Sequence, residues 1–398
     1  MAMFFEPAVA EKKDLGLLGK SRFWLHRQQQ ELPVTLKLPP PIDYHHAVIG
    51  GQSRAFALPV TFTPFASVRP CSARCVFCSE TLVHKRARIL SAQLRPGPGY
   101  FAGLAGALDA LGGVPMGISL SGLEATDDAP WLLRVLETIA VHEANGGTLE
   151  EKVLYSNGNG LARGTSGGRL LPALARFGLT RIEMSRHHWR QAVNQDIMRF
   201  REGEIIRDQA VFEETLGDAL EWVPVRLVCI LQASGVSSLG DVRNYLAWAR
   251  DLGVNTVIFR ELSRLGDLYR PNRTWRTIEK QRVVLEEVLD HVWPSGSPPA
   301  EGFEPEAMTA GYYYWNLGFR YQGKMKVIFE TSDYTEMKAR HQKGVVHKLV
   351  FHANGNLCGD WDPEQEVLLR TGDVRNVAGP GELPRQGIFP MEEEPWMV

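Results

Sequence analysis

The sequence has no run of about 18 apolar residues with which to cross a bilayer, and its N-terminus, MAMFFEPAVAEKKDLG, meets charge too early to form a secretory apolar core. We therefore expect a cytoplasmic protein with no membrane partner. An excess of either charge is also missing: 44 Lys and Arg face 46 Asp and Glu, a formal net charge of −2 that provides no strong positive field and disfavours nucleic acid as the main partner. Cysteine is scarce, five in 398 residues, so a disulfide-stapled scaffold is excluded. Hydrophobic residues at 44% and charged ones at 23% match an ordinary globular composition, which rules out a fibrous repeat. A chain of this length can bury a sizeable core, a scale that suits an enzyme.

From Leu58 onward, β-rich runs alternate with amphipathic stretches. The strand candidates are LPVTFTP (58–64), MGISLS (116–121), KVLYSN (152–157), TRIEMS (180–185), PVRLVCIL (224–231) and VNTVIFRE (254–261). Between them, segments such as FAGLAGALDALG, PWLLRVLETIAVHEA, GGRLLPALARFG and SLGDVRNYLAWARDLG repeat apolar residues every three and four positions. This pattern predicts an α/β fold of about six βα units on a parallel sheet, either open and doubly wound or closed into an incomplete barrel. In both arrangements ligands bind at the carboxyl ends of the strands. A helix over 277–293 is expected to end the series. Residues 1–57, which include LKLPPPID, read as an N-terminal extension, and 58–294 as the core domain. Residues 295–398 change texture, with an aromatic run GYYYWNLGF and strand-like pieces at 324–330 and 347–357, and read as a small C-terminal α+β appendage serving as a substrate lid or wall.

Three of the cysteines crowd into RPCSARCVFCSE, a C-x3-C-x2-C spacing just after the first strand: Cys71, Cys75 and Cys78. Thiolates are soft ligands that suit iron–sulfur clusters or zinc, and a structural zinc requires a fourth ligand, for which His84 is the nearby substitute. A [4Fe–4S] cluster on three cysteines leaves one iron free to bind another molecule, whereas a pure electron carrier uses four ligands. The flanking Arg69, Pro70, Arg74 and Glu80 argue against three cysteines acting merely as small core residues. Cys229, in mid-strand, reads as core, and Cys358 stands alone.

This loop resembles that of the radical S-adenosylmethionine (radical SAM) superfamily, whose signature is the same spacing with an aromatic residue before the third cysteine, here Phe77. The resemblance implies a partial (β/α)6 barrel in which Cys71, Cys75 and Cys78 ligate three irons of a [4Fe–4S] cluster and the fourth iron takes the amino and carboxylate groups of S-adenosylmethionine (SAM). It also implies an external one-electron donor such as flavodoxin or ferredoxin, and reductive cleavage of SAM to a 5′-deoxyadenosyl radical that abstracts hydrogen from a substrate. SLSGLEAT resembles the Gly-Gly-Glu motif of the family, with Leu123 in place of the second glycine, which gives Gly122 a backbone role and Glu124 a contact to the SAM ammonium. On its chemistry alone, Glu124 equally reads as an exposed acid at a helix start. YSNGNG resembles the family's Ser/Thr-Asn-Gly turn and marks Asn157. EMSRHHW implies Ser185 for a ribose hydroxyl and Arg186 for a carboxylate. The adjacent His187 and His188 face opposite sides of a strand, so one is a candidate acid/base and the other a packed or exposed residue, with a structural role for both equally open. Gln232, Arg260 and Glu261 end the next two strands, where they would face SAM or substrate, although a salt bridge between strands would use the last two residues as well.

VFHANGNLCGDWD resembles the SPASM/twitch-like appendage that binds auxiliary clusters in one branch of the family, but a lone Cys358 leaves it degenerate, and the run Tyr312 to Trp315 is expected to line it as a wall. The function expected is hydrogen abstraction from a small polar metabolite in specialised biosynthesis. The alternatives are maturation of a ribosomally made peptide, and a non-catalytic cluster- or zinc-binding or electron-transfer protein.

Overall fold

A computed structural model describes residues 42–65, 67–87, 90–162, 167–341 and 344–371. The six expected strands are β2 (Gln52–Pro64), β3 (Met116–Leu120), β4 (Leu149–Ser156), β5 (Arg181–Ser185), β6 (Val225–Leu231) and β7 (Thr256–Glu261). They lie side by side in chain order and are all parallel. Such strands are covered on both faces, which is why β6 reads as the nearly continuous apolar run VRLVCIL. Strand β2 starts six residues before the expected Leu58, because Gly50 and Gly51, both at positive φ, turn the chain into a hairpin with β1 (Asp43–Ile49).

Helices cross back between the strands: α1 (Tyr100–Ala110), α2 (Ala129–Ala144), α3 (Gly167–Arg176), α4 (Gln191–Met198), α5 (Gln209–Trp222) and α6 (Leu239–Asp251). Their starts are written in the sequence. Asp128 accepts from the Trp131 amide at 3.3 Å to open α2, and Ser238 with Asp241 forms a capping box on α6, each cap being worth about 1 kcal/mol. The helix expected over 277–293 is instead two, α7 (Arg273–Gln281) and α8 (Leu285–Val292). Arg282 between them is extended and bridges Gln232, while the Gln281 carbonyl accepts from the Ala233 amide at 2.9 Å. The β-branched pair Val283–Val284 yields to this pull from the end of β6.

The C-terminal segment builds β8 (Phe303–Ala310), β9 (Tyr314–Tyr321), β10 (Met325–Ser332), α9 (Tyr334–His341), β11 (Val345–Phe351), β12 (Asn356–Cys358) and β13 (Val367–Arg370). Strand β10 pairs parallel with β7 at one end of the central array, and β11 pairs parallel with β2 at the other. The parallel run is therefore β11-β2-β3-β4-β5-β6-β7-β10, with antiparallel strands outside it. Leu132, Leu136, Leu154, Ile182, Met184 and Phe259 are fully buried in its main core. The opposite side of the strands is polar: Thr61, Ser119, Tyr155, Glu183, Arg260 and Glu330 line a cavity of about 780 Å³. No helix among the described residues is long and apolar enough to cross a membrane.

Candidate functional site

The cysteine loop leaves β2 at Phe65, whose carbonyl accepts from Tyr100 Oη and Trp131 Nε1, both at 3.0 Å. Its other anchor is the end of α4. A helix leaves its last carbonyls without partners, and those of α4 are taken by the loop: Val76 N donates to Ile197 O and Arg74 N to Met198 O, both at 3.0 Å. Arg199, at φ 52°, ends that helix in the left-handed conformation, and the Arg201 amide then donates to Ser72 O at 3.0 Å. Cys78 N donates to Cys75 O at 3.2 Å, which tightens the loop between the second and third thiols.

All five cysteines are free. Burial pushes the Cys75 thiol up to about 12, with the Cys78 sulfur adding to the effect, and Cys78 up to about 11, with Glu80 adding. Cys71 rises further, again through burial and then through Glu124. Three thiolates are thus tolerated here only beside compensating positive charge, which bound metal supplies. Ala73 N approaches Cys71 Sγ at 3.4 Å and Asn157 Nδ2 at 3.8 Å, the N–H···S contacts that steady a ligating sulfur. Among the described residues, no group of three or more His, Cys, Asp and Glu is gathered to hold a single metal ion.

Glu124 is not an exposed helix-start acid. It is buried and accepts from Thr126 Oγ1 at 2.7 Å, Ser156 Oγ at 2.8 Å and Asn157 N at 2.5 Å. Burial, then Asp127, pushes its carboxyl up to about 7. Asn157 in turn donates to Ser72 Oγ at 2.9 Å, and Asp127 takes the Ser72 amide at 2.6 Å. One network therefore joins the cysteine loop to the ends of β3 and β4. Gly122, at φ 82°, faces open space in the cavity wall, and Leu123 keeps a left-handed φ of 50° where a glycine would sit without the roughly 1–2 kcal/mol penalty of a side chain.

Phe77 meets the His187 ring edge-on at 5.0 Å between centroids. His187 Nδ1 accepts from Ile230 N at 3.1 Å, which places the ring proton on Nε2, and burial drives its pKa down to about 3, so the ring stays neutral. It positions Phe77, which does not fit the acid/base role. His188 accepts from Arg190 N at 2.9 Å, stacks on Trp189 and does not line the cavity. Arg186 is fully buried on the helix side, where it donates to Ile206 O at 3.2 Å and Gln209 Oε1 at 2.6 Å and lies 4.5 Å from the Phe212 ring centroid. That position does not suit the carboxylate contact expected of it. Ser185 ends β5, half-buried. Arg260 does line the cavity, clamped between Glu330 and Glu183, whereas Glu261 points to the other side and accepts from Thr331 Oγ1 at 2.5 Å beside Arg264 at 3.5 Å. Successive strand residues alternate faces, so these two cannot serve one site. Gln232 is fully buried at the end of β6, and neither atom of its amide has a partner.

The residues fit a cluster and its cofactor. Cys71, Cys75 and Cys78 would hold the cluster, while the Gly122 backbone and the unused Gln232 amide would be free for SAM; when bound, this pair supplies a reductively generated carbon radical. No family model and no curated protein matches the sequence. In fold, the chain is similar to radical SAM enzymes. Coproporphyrinogen III oxidase (HemN) from Escherichia coli, a radical SAM enzyme, is 14% identical with a TM-score of 0.39 over 58% of this chain and 50% of that one. SuiB from Streptococcus suis bound to the precursor peptide SuiA is 12% identical, with a TM-score of 0.44 over 92% and 72%. The anSMEcpe structure with bound AdoMet is 11% identical, with a TM-score of 0.38 over 50% and 51%, so the chain spans about half the length of that protein.

The far wall of the cavity comes from the C-terminal segment. Tyr312, Tyr313 and Tyr314 line it as the aromatic run suggested, but Trp315 is buried in the core. Lys348 and Trp361 also line it, and neither carried a signal: Lys348 sits inside a run read simply as a strand. Cys229 is core, its thiol donating to the His187 carbonyl at 3.4 Å, and Cys358 lies buried against Pro363 O at 3.7 Å.

Proposed function

We propose that this chain is a radical SAM enzyme, cytoplasmic and served by an external one-electron donor, that abstracts hydrogen from a small polar metabolite held in the barrel cavity. The observation that carries the reading is the C-x3-C-x2-C loop at the carboxyl end of the first parallel barrel strand, tied through Ser72, Asp127, Asn157 and Glu124 to the ends of the next two. Cys71, Cys75 and Cys78 hold the cluster, and Phe77, steadied by His187, walls it on the side of β6. Gly122, Glu124, Asn157, Ser185 and Gln232 surround or brace the SAM site, and Arg260 faces the substrate space.

The cavity of about 780 Å³ falls in the range of small-molecule sites and favours a metabolite over a long peptide. A peptide substrate is the second reading, and it draws on the peptide-bound SuiB structure. Anaerobic reconstitution with iron and sulfide, followed by SAM and dithionite, should release 5′-deoxyadenosine. A passive cluster protein would release none, and a preparation carrying one zinc in a closed shell would end the proposal.

A further inference from the structure

Lys348 lies on β11, whose pairing with β2 slips between Val346 and Lys348, so that the successive residues His347 and Lys348 both reach the cavity wall instead of alternating. The residue is 4% exposed. Its ammonium sits 3.8 Å from the centroid of the Trp361 ring and 5.8 Å from that of Tyr313. Among the described residues no carboxylate comes within ion-pair distance of it, and Asp360 is engaged by Lys338 at 2.8 Å. Buried lysines are ordinarily paired, because an isolated cation in a dry site is costly. This one has its ammonium against the Trp361 ring, at the wall of the cavity that it lines.

We propose that Lys348 is the anchor for a substrate carboxylate, with the apolar body of that substrate packed against Trp361 and Tyr313. The inference rests on reading the barrel cavity as the substrate site. It narrows the substrate class to small carboxylic acids bearing a flat or apolar body. The missing counter-ion is then the ligand itself, and the aromatic rings explain how the ammonium is held in its absence. Burial holds the amine down to about 7, with Asp360 and Glu80 pulling against it, so a carboxylate arriving near pH 8 fixes the charged form and takes up a proton.

Phenylacetate and phenylacetamide are probes of the same shape, of which only the first carries the charge. Titrated into the reconstituted protein under nitrogen, phenylacetate should bind at least about tenfold tighter than the amide, with proton uptake seen as a dependence of the binding heat on buffer ionisation. Lys348→Met should bring the two probes within about twofold of each other, and Lys348→Arg should keep the preference. Equal binding of the probes by the parent, no binding in the millimolar range, or a preference that survives in Lys348→Met would overturn the proposal. The parent's preference is read without any substitution, so a variant that fails to fold leaves the test decisive. Release of 5′-deoxyadenosine by the parent is a separate readout, which distinguishes failure of the radical reading from failure of the anion anchor.

Discussion

Replacing Lys348 by Met keeps an unbranched side chain of similar length and removes the ammonium that lies over Trp361. In the unfolded chain that amine has its ordinary value of 10.5, whereas in the fold burial draws it to about 7. Between those two values the unfolded chain binds a proton that the folded one lacks, so the parent loses stability as pH falls from 10.5 towards 7, and the full penalty is present below 7. Converted at 1.36 kcal/mol per tenfold change, the gap amounts to about 5 kcal/mol. At 4% exposure there is little screening by bulk solvent, but water entering the cavity lowers the figure, and a range of about 2–5 kcal/mol is expected. Lys348→Met should thus be more stable than the parent by that amount near pH 7, with the pH-dependent gap closed only above about pH 11. Urea unfolding of both proteins across this range measures the difference directly, and other titrating groups cancel between them. A gap that stays constant with pH, or one that widens as pH rises, would refute the assignment of Lys348 as a buried amine held below its ordinary value.

Changing any one of Cys71, Cys75 or Cys78 to Ala should abolish the brown chromophore of the reconstituted protein, while Cys229→Ala and Cys358→Ser should retain the parent's iron content; a fall to half in either of the latter would reveal a second cluster. Glu124→Gln turns an amide donor towards Ser156, Asn157 or Thr126 and should cost about 1–3 kcal/mol in urea unfolding. Its cluster should also be lost faster to chelator, because the brace beneath Cys71 is loosened. Gln232→Met removes an amide that has no partner, so stability should change by less than about 1 kcal/mol while SAM retention in equilibrium dialysis falls by at least about tenfold. Unaltered retention would remove Gln232 from the cofactor site.

The strand and helix series was legible because parallel strands covered on both faces leave unbroken apolar runs such as VRLVCIL, and because the helices between them repeat apolar residues every three and four positions. The cysteine loop was legible because its chemistry is local, three thiols within eight residues. What escaped was set by long-range contact. The break at Arg282 comes from hydrogen bonding to the end of β6, some fifty residues earlier in the chain. Arg186 looked like a ligand-binding arginine at a strand end, yet the ring of Phe212 and the carbonyl of Ile206 draw it to the helix side. Glu124 carried the right charge in the right place, but whether it met solvent, cofactor or Ser156 depended on a neighbouring strand. Lys348 owes its inward direction to a slipped register, which no periodicity within its own segment could reveal.

The two flanks of the parallel array, β10 and β11, come from one stretch of chain and embrace the centre from opposite sides. That stretch also carries Tyr313, Lys348 and Trp361, while the sulfur donors lie far upstream between Cys71 and Cys78. Substitutions in that stretch would therefore reshape the cavity's far wall and leave the cysteine loop untouched.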